Sequence, residues 1–296
     1  MTPSVVSTEA PSTSLGAGCA RPHVCHWFLR VVACCLLYSC AALAQNTSSS
    51  SYLGFDRNEY PGDASLQTLH QTFSYAGYWL NNPPGASSNH WLGHRAAVES
   101  AGFGFLVLFN GRLYAELRSV ANAQKLGRAD AQSAISTARR EGFKPGTIIF
   151  LDQEQGGRML PEQKAYIYAW VDGVIASGFR AGIYCSGMIS NDSEKVVTAE
   201  DIRSTAAGRH ITYWAINDGC PPSRGCTFSG HPPAPPQSGV DFAEVWQFVQ
   251  SPRRKDVAAH CTNYNRDGNC YPPGAPGVYV DLDVATFPDP SHGRTR

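Results

Sequence analysis

Short apolar runs alternate with amphipathic stretches from Tyr52 onward, the rhythm of strands each followed by a helix. Strand-like runs fall at 52–57, 74–79, 103–109, 147–152, 180–185, 211–216, 243–249 and 278–284. Eight such runs suffice to close a parallel barrel. The clearest helix begins at Pro161: Tyr166, Ile167, Trp170, Val171, Val174 and Ile175 form one apolar face, and Gly178 supplies a stop. Helical patterns also cover 90–101 and 129–141, with shorter ones at 64–72 and 199–207. Between the sixth and seventh strands the chain runs instead from Cys220-Pro221-Pro222 to Pro235-Pro236, a stretch that proline excludes from any helix. A second loop rich in Cys, Asn, Gly and Pro fills 251–277. The expected fold is therefore α/β: an irregular TIM-like (β/α) barrel over residues 52–296, its eight strands losing their helices in the last units.

The run Ile148-Ile149-Phe150-Leu151-Asp152-Gln153-Glu154 concentrates the candidate chemistry. Apolar residues on both faces suit a strand covered on each side. Alternation puts Asp152 and Glu154 on one face, about 6–7 Å apart along the backbone, close enough for each to shift the other's pKa. Two such carboxyls can be held in different protonation states, as glycosidic bond cleavage requires. The plainer alternative is that they cap the strand and the next helix. Their company argues otherwise. Parallel strands share one rim at their carboxyl ends, where the first would bring Asp56 and the last Asp281 and Asp283, on strands made neighbours by closure. Mutual repulsion makes such a cluster costly without a function or a cation. Tyr78, Tyr184, Trp214 and Trp246, with Gln247, stand at the same strand ends and offer the apolar faces and polar groups a sugar needs. Ca2+ is the competing use of clustered carboxylates, but the sequence has no D-x-D-x-D-G loop. It has no His-Glu-x-x-His, G-x-S-x-G or Walker loop either. No metal and no cofactor is expected.

Composition narrows the partners. With 24 basic and 24 acidic residues the net charge is zero, which argues against a nucleic-acid binder. Arg30 precedes an apolar run over 31–44 that ends in Ala42-Leu43-Ala44, so residues 1–44 read as a secretory signal with a cut after Ala44. The run is too short for a comfortable membrane span. Residues 45–51 read as a Ser-rich tether. Leu37-Tyr38-Ser39-Cys40 also resembles a lipobox, which leaves a lipid anchor at Cys40 as a second reading of a secreted, periplasmic or surface protein. Cys220, Cys226, Cys261 and Cys270 lie in the two irregular loops, where an oxidising compartment favours disulfides. Three connectivities are open, and the local pairing Cys220–Cys226 with Cys261–Cys270 is the expected one. Cys185, on an apolar strand, reads as a buried thiol.

Gly54-Phe55-Asp56, Phe150-Leu151-Asp152-Gln153-Glu154, Ala181-Gly182-Ile183-Tyr184, Trp246-Gln247-Phe248 and Val280-Asp281-Leu282-Asp283 occur in that order. Together they resemble glycoside hydrolase family 25, the lysozyme-type muramidases. They are more similar still to the bacterial glycoside-hydrolase-like domain (domain of unknown function 1906), an exported relative. The resemblance spans about 52–287 and implies an irregular barrel. It makes Glu154 the candidate general acid/base, with Asp152, Asp56 and Asp281 tuning it, orienting substrate and stabilising oxocarbenium charge. Tyr184, Trp214 and Trp246 would line a sugar cleft. In family 25 the substrate's N-acetyl group is a proposed nucleophile, which would make Asp152 its positioner. The expectation is an exported monomer cleaving peptidoglycan or a related N-acetylated glycan. A non-catalytic glycan-binding barrel is the alternative, and an amidase or peptidase is disfavoured by the missing metal and nucleophile motifs.

Overall fold

The computed structural model describes residues 51–228 and 231–295. The expected signal 1–44, Cys40 and the tether up to residue 50 lie outside the described residues. Eight strands close a barrel in sequence order: β1 (Tyr52–Asp56), β2 (Tyr75–Trp79), β3 (Gly104–Asn110), β4 (Ile148–Asp152), β5 (Arg180–Ser186), β6 (Ile211–Ile216), β7 (Val245–Val249) and β8 (Asp281–Ala285). The helices are α1 (Asp63–His70), α2 (Arg95–Ser100), α3 (Tyr114–Leu117), α4 (Val120–Glu141), α5 (Pro161–Ala176) and α6 (Thr198–Ser204). Among the described residues of the β6–β7 connection the only helical element is a 3-10 turn, Pro235–Ser238, as its prolines require.

Two helices differ from the sequence expectation. The pattern at 90–101 yields only α2, because 90–94 form a turn in which Gly93 takes a φ of 85°. The pattern at 129–141 starts nine residues earlier, at Val120: the Ser119 hydroxyl accepts the Asn122 N–H at 3.3 Å and caps the helix.

A larger departure concerns β8. Strands β1 to β7 pair in parallel, but β8 is antiparallel to both β7 and β1. A parallel strand needs a crossover that returns the chain to the far end of the barrel. The loop over 250–280 contains no helix to make that return. It stays on the rim where β7 ends, so the chain re-enters the sheet from above. After β8 the chain reaches the opposite end, where it closes the splay between β3 and β4. There the Ser291 hydroxyl accepts the Val107 N–H at 2.8 Å, and the Ser291 carbonyl accepts the Ile148 N–H at 2.8 Å.

The disulfides also depart from the local pairing. They are Cys220–Cys261 and Cys226–Cys270, so each ties the β6–β7 loop to the β7–β8 loop. The reversal of β8 is the cause: both loops lie on one rim, in backbone contact where the Cys226 N–H donates to the Thr262 carbonyl at 3.2 Å. Cys185 is buried and unpaired, as its strand position suggested.

Inside the barrel, side chains interdigitate beneath the rim. Gly54 on β1 leaves room for the Tyr75 ring, which a Cβ there would meet at 2.2 Å. Phe150 and Trp214 cross edge to face with centroids 6.0 Å apart. These large rings fill the interior and form the floor on which the polar residues above them stand.

Candidate functional site

The register of the sheet collects the carboxylates. Asp56, last residue of β1, pairs with Asp281, first residue of the reversed β8. Asp283 pairs with Gly54, one layer deeper. On the other side of the barrel Asp152 ends β4 beside Tyr184 of β5, and Tyr184 is beside Trp214 of β6. Asp56, Asp152, Glu154 and Asp281 thus line one cleft of ≈ 130 Å3, with Tyr184, Trp214 and Gln247. Gly77 on β2 makes room for Asp56, since a Cβ at that position would lie 2.6 Å from the Asp56 Cβ.

Gln247 organises the β1–β8 side. Its Oε1 accepts the Tyr184 hydroxyl proton at 2.8 Å, which fixes the amide so that Nε2 donates to Asp56 Oδ2 at 2.8 Å and reaches Asp281 Oδ2 at 3.5 Å. The Ser251 N–H donates to Asp281 Oδ1 at 2.6 Å. The Trp214 indole donates to Asp283 Oδ1 at 3.1 Å, while Asp283 Oδ2 meets no N–H or O–H donor and lies against the Asp56 carboxyl. On the β4 side, the Asp152 and Glu154 carboxyls are in hydrogen-bond contact with one another, and Asp152 Oδ1 is buried without a hydrogen-bond partner.

Carboxylates packed this way cannot all be ionised. Burial pushes Asp56 up to about 6, aided by the charge of Glu154 and opposed by its bonds with Asp283 and Gln247. Burial and the neighbouring Glu154 and Asp56 hold Asp152 well above the usual carboxylate range. Asp281 and Asp283 are raised by burial and by Asp56. Glu154 is raised by desolvation, against the Asp152 hydrogen bond and the positive charge of Arg254. Its side chain is nevertheless exposed, so water screens part of this push. Asp152 is 4% exposed. The shared proton therefore rests on the buried Asp152 and faces Glu154, which opens to solvent.

Arg254 reaches this neighbourhood from the crosslinked β7–β8 loop. Its guanidinium grips the fully buried Asp218, just past β6, in a two-pronged contact with Nε to Oδ2 at 2.8 Å. The Asp218 carbonyl lies 3.3 Å from the Cys261 sulfur, so the disulfide and the ion pair hold one corner of the rim together.

Two residues expected in the cleft point elsewhere. The Tyr78 hydroxyl donates to Glu141 Oε2 at 2.5 Å, and its ring sits among Trp91, Phe105 and Phe143 under the helices. The Trp246 indole donates to the Asn217 carbonyl at 2.9 Å outside the barrel wall. Neighbours on a strand face opposite sides, so Trp246 cannot share the interior with Gln247. The same rule favours Trp79 over Tyr78, and Trp79 does line the cleft, with Asn58, Pro84, Leu108 and Gln250. The side-chain parity of Gly77 and Trp79 was the signal for this; Asn58, Pro84 and Gln250 lie in loops, where no periodicity announces direction. Tyr184 and Trp214 line the cleft but are nearly buried, at 6% and 1% exposure. They serve as hydrogen-bonding walls more than as open stacking surfaces.

Among the described residues, no group of three or more His, Cys, Asp or Glu side chains is arranged to hold a metal ion. No helix of the described residues is long and apolar enough to cross a membrane.

No curated protein matches this chain. Among solved structures, an uncharacterized B. stearothermophilus protein is similar over 80% of this chain and 99% of its own, at 19% identity and a TM-score of 0.53. The Tat-secreted protein Rv2525c of Mycobacterium tuberculosis, in complex with HEPES, matches over 82% of this chain and 98% of its own, at 15% identity and a TM-score of 0.47. A family 25 glycosyl hydrolase from Bacillus anthracis matches over 80% and 90%, at 12% identity and a TM-score of 0.47. At these identities the likeness concerns fold alone. A family model described as Rv2525c-like, glycoside hydrolase-like domain matches residues 73–229, which include Asp152, Glu154, Tyr184 and Trp214. Asp56, Gln247 and Asp281 lie outside that stretch and join these residues only through barrel closure. With more than half of its length matched, the chain belongs to the Rv2525c-like, glycoside hydrolase-like domain family.

Proposed function

We propose that this protein hydrolyses a glycosidic bond in peptidoglycan or a related N-acetylated glycan, with Glu154 as the general acid. The observation that carries this reading is the Asp152–Glu154 contact, in which a buried carboxyl holds a proton against a neighbour exposed at the cleft mouth. Carboxyls that flank a scissile bond stand about 5–9.5 Å apart. A hydrogen-bonded pair is too close for that, so Asp152 acts behind Glu154 and keeps it supplied with a proton. The flanking charge comes from the opposite wall. Asp56, oriented by Gln247 and ionised above about pH 6, would stabilise the oxocarbenium carbon as the bond to the leaving oxygen breaks, while Asp281, held well above the usual carboxylate range and fixed by the Ser251 N–H, would orient the substrate. Glu154 takes the proton from Asp152 and passes it to that oxygen, and a water then adds its hydroxyl to the anomeric carbon and returns a proton through Glu154 to Asp152.

A cleft of ≈ 130 Å3 falls below the roughly 300–1,000 Å3 usual for whole ligands. It suits one sugar ring, the rest of the chain lying across the rim. The same small volume favours a second reading, a barrel that holds glycan without turnover. The two disulfides support export, with 1–44 as the signal, 45–51 as the tether and 52–296 as the working domain, acting as a monomer. Lipid attachment at Cys40 is the alternative form of delivery.

The test measures new reducing ends from purified peptidoglycan and from N-acetylated chito-oligosaccharides. Wild type should release them, and Glu154→Gln should lower the rate by about 10²–10⁴-fold with unchanged circular dichroism and melting temperature. Normal turnover by Glu154→Gln sinks the assignment. Glycan capture by both proteins without any reducing ends establishes the binding-only reading.

A further inference from the structure

A second charged site lies at the opposite end of the barrel, where the strands begin. Lys144 before β4, Arg180 at the start of β5, and His292 and Arg294 on the C-terminal segment line an open cleft of ≈ 590 Å3 with no Asp or Glu among its described lining residues. Main-chain bonds join the three segments: Gly146 N–H to the Gly178 carbonyl, Arg180 N–H to the Thr147 carbonyl, and Ile148 N–H to the Ser291 carbonyl. The cations are therefore held in one place by the fold itself.

Six of the described arginines elsewhere are held by acids, and Arg139, Arg140, Arg224 and Arg253 donate to neutral oxygens. Arg95, Arg112, Arg158, Arg203, Arg209 and Arg254 each pair with a carboxylate. Among the described residues, the side chains of Lys144 and Arg180 make no ion pair and no hydrogen bond, and both are exposed. Arg294 spends one N–H on the Gly102 carbonyl at 2.7 Å. Two nearby acids are already engaged: Asp289 accepts the N–H groups of Phe105, Gly293 and Arg294, and Glu99 accepts from Thr295 and Arg95, while Glu244 lies with Arg180 in an adjoining cleft without forming an ion pair. Gathering unpaired cations on one face of a neutral chain costs repulsion that an anion would relieve.

We infer that this basic cleft binds a polyanion carrying repeated phosphate groups, and so docks the protein with its carboxylate rim facing away from the anchor. Phosphate fits better than isolated carboxylates because the Arg forks and the Lys point charge are spread over a broad open surface. A polymer can engage them at once, whereas a single small anion cannot. The inference does not depend on the hydrolytic reading, since it concerns the other end of the barrel.

The experiment titrates the protein with linear polyphosphate by calorimetry. The double variant Lys144→Ala/Arg180→Ala should bind about tenfold more weakly or worse. A control that removes the same charge from the exposed outer face of α4, Lys125→Ala/Arg128→Ala, should stay within about twofold of wild type. Raising salt from about 50 to about 300 mM should weaken wild-type binding and leave the cleft variant nearly unaffected. All replaced side chains are exposed, and equal melting temperatures verify folding. Equal losses in both double variants, or none in either, overturn the inference. So does equal affinity for polyglutamate, or binding to phosphatidylglycerol vesicles without binding to polyphosphate.

Discussion

Asp283 is the residue whose environment is least balanced. One oxygen takes the Trp214 indole proton and the other faces only the Asp56 carboxyl, so the pair is satisfied only when a proton sits between them. An asparagine there keeps an acceptor for Trp214 and gives Asp56 a permanent donor. Asp283→Asn should therefore stabilise the protein at about pH 8 by about 1–3 kcal/mol and change little at about pH 4. Urea denaturation at both values decides it, and a loss at pH 8 shows that the pocket needs the carboxylate. At this scale, strand parity in the sequence identifies Asp56, Asp152, Asp281 and Gln247 as interior residues. It argues equally against Tyr78 and Trp246, whose aromatic character at strand ends is what made them candidates. Chemical type suggested the wrong neighbour where alternation pointed to the right one.

Elements tell a similar story with a different gap. Apolar runs locate all eight strands to within a few residues, and the missing helices after β6 and β7 follow from proline and glycine content. The direction of β8 is not written in its own residues, because alternation reads the same in both senses. Asp281 thus reaches the rim by being the first residue of a reversed strand, and Asp283 drops a layer below it. The same reversal brings the two Cys-bearing loops together, which the spacing of the cysteines does not disclose. Each disulfide closes a loop with a sequence separation of 41 or 44 residues, worth close to 4 kcal/mol by loop entropy. A Cys226→Ser/Cys270→Ser variant should lose stability on that order, with protease cuts appearing within 217–280. A denaturant midpoint equal to wild type would show that the loops are held by packing alone.

For the whole molecule, the buried carboxylates govern how stability follows pH. Asp56 titrates at about 6 in the folded protein against 3.8 in a free chain, and Asp152, Asp281 and Asp283 are raised as well. Between those values the folded state binds more protons than the unfolded state, so stability falls as pH rises. Asp56 alone contributes on the order of 3 kcal/mol, present below about pH 4 and lost through about pH 6. Exposed acids with lowered values, such as Asp63 and Asp192, act the other way at the acid end. The melting temperature should peak near about pH 4–5 and decline toward about pH 8; a steady rise over that range would contradict the buried cluster. The sequence by itself determined the strand count, the inward face of each strand, the prolines that forbid late helices and the acids that make a site possible. These are local properties, set by periodicity and backbone chemistry within a few residues. Only the tertiary structure decided the sense of β8, the crossed disulfides, the sharing of protons among Asp56, Asp283, Asp152 and Glu154, and the basic cleft at the far end. Each of those depends on residues distant in sequence being brought within a few ångströms, where desolvation and Coulomb forces act on neighbours that no local pattern records.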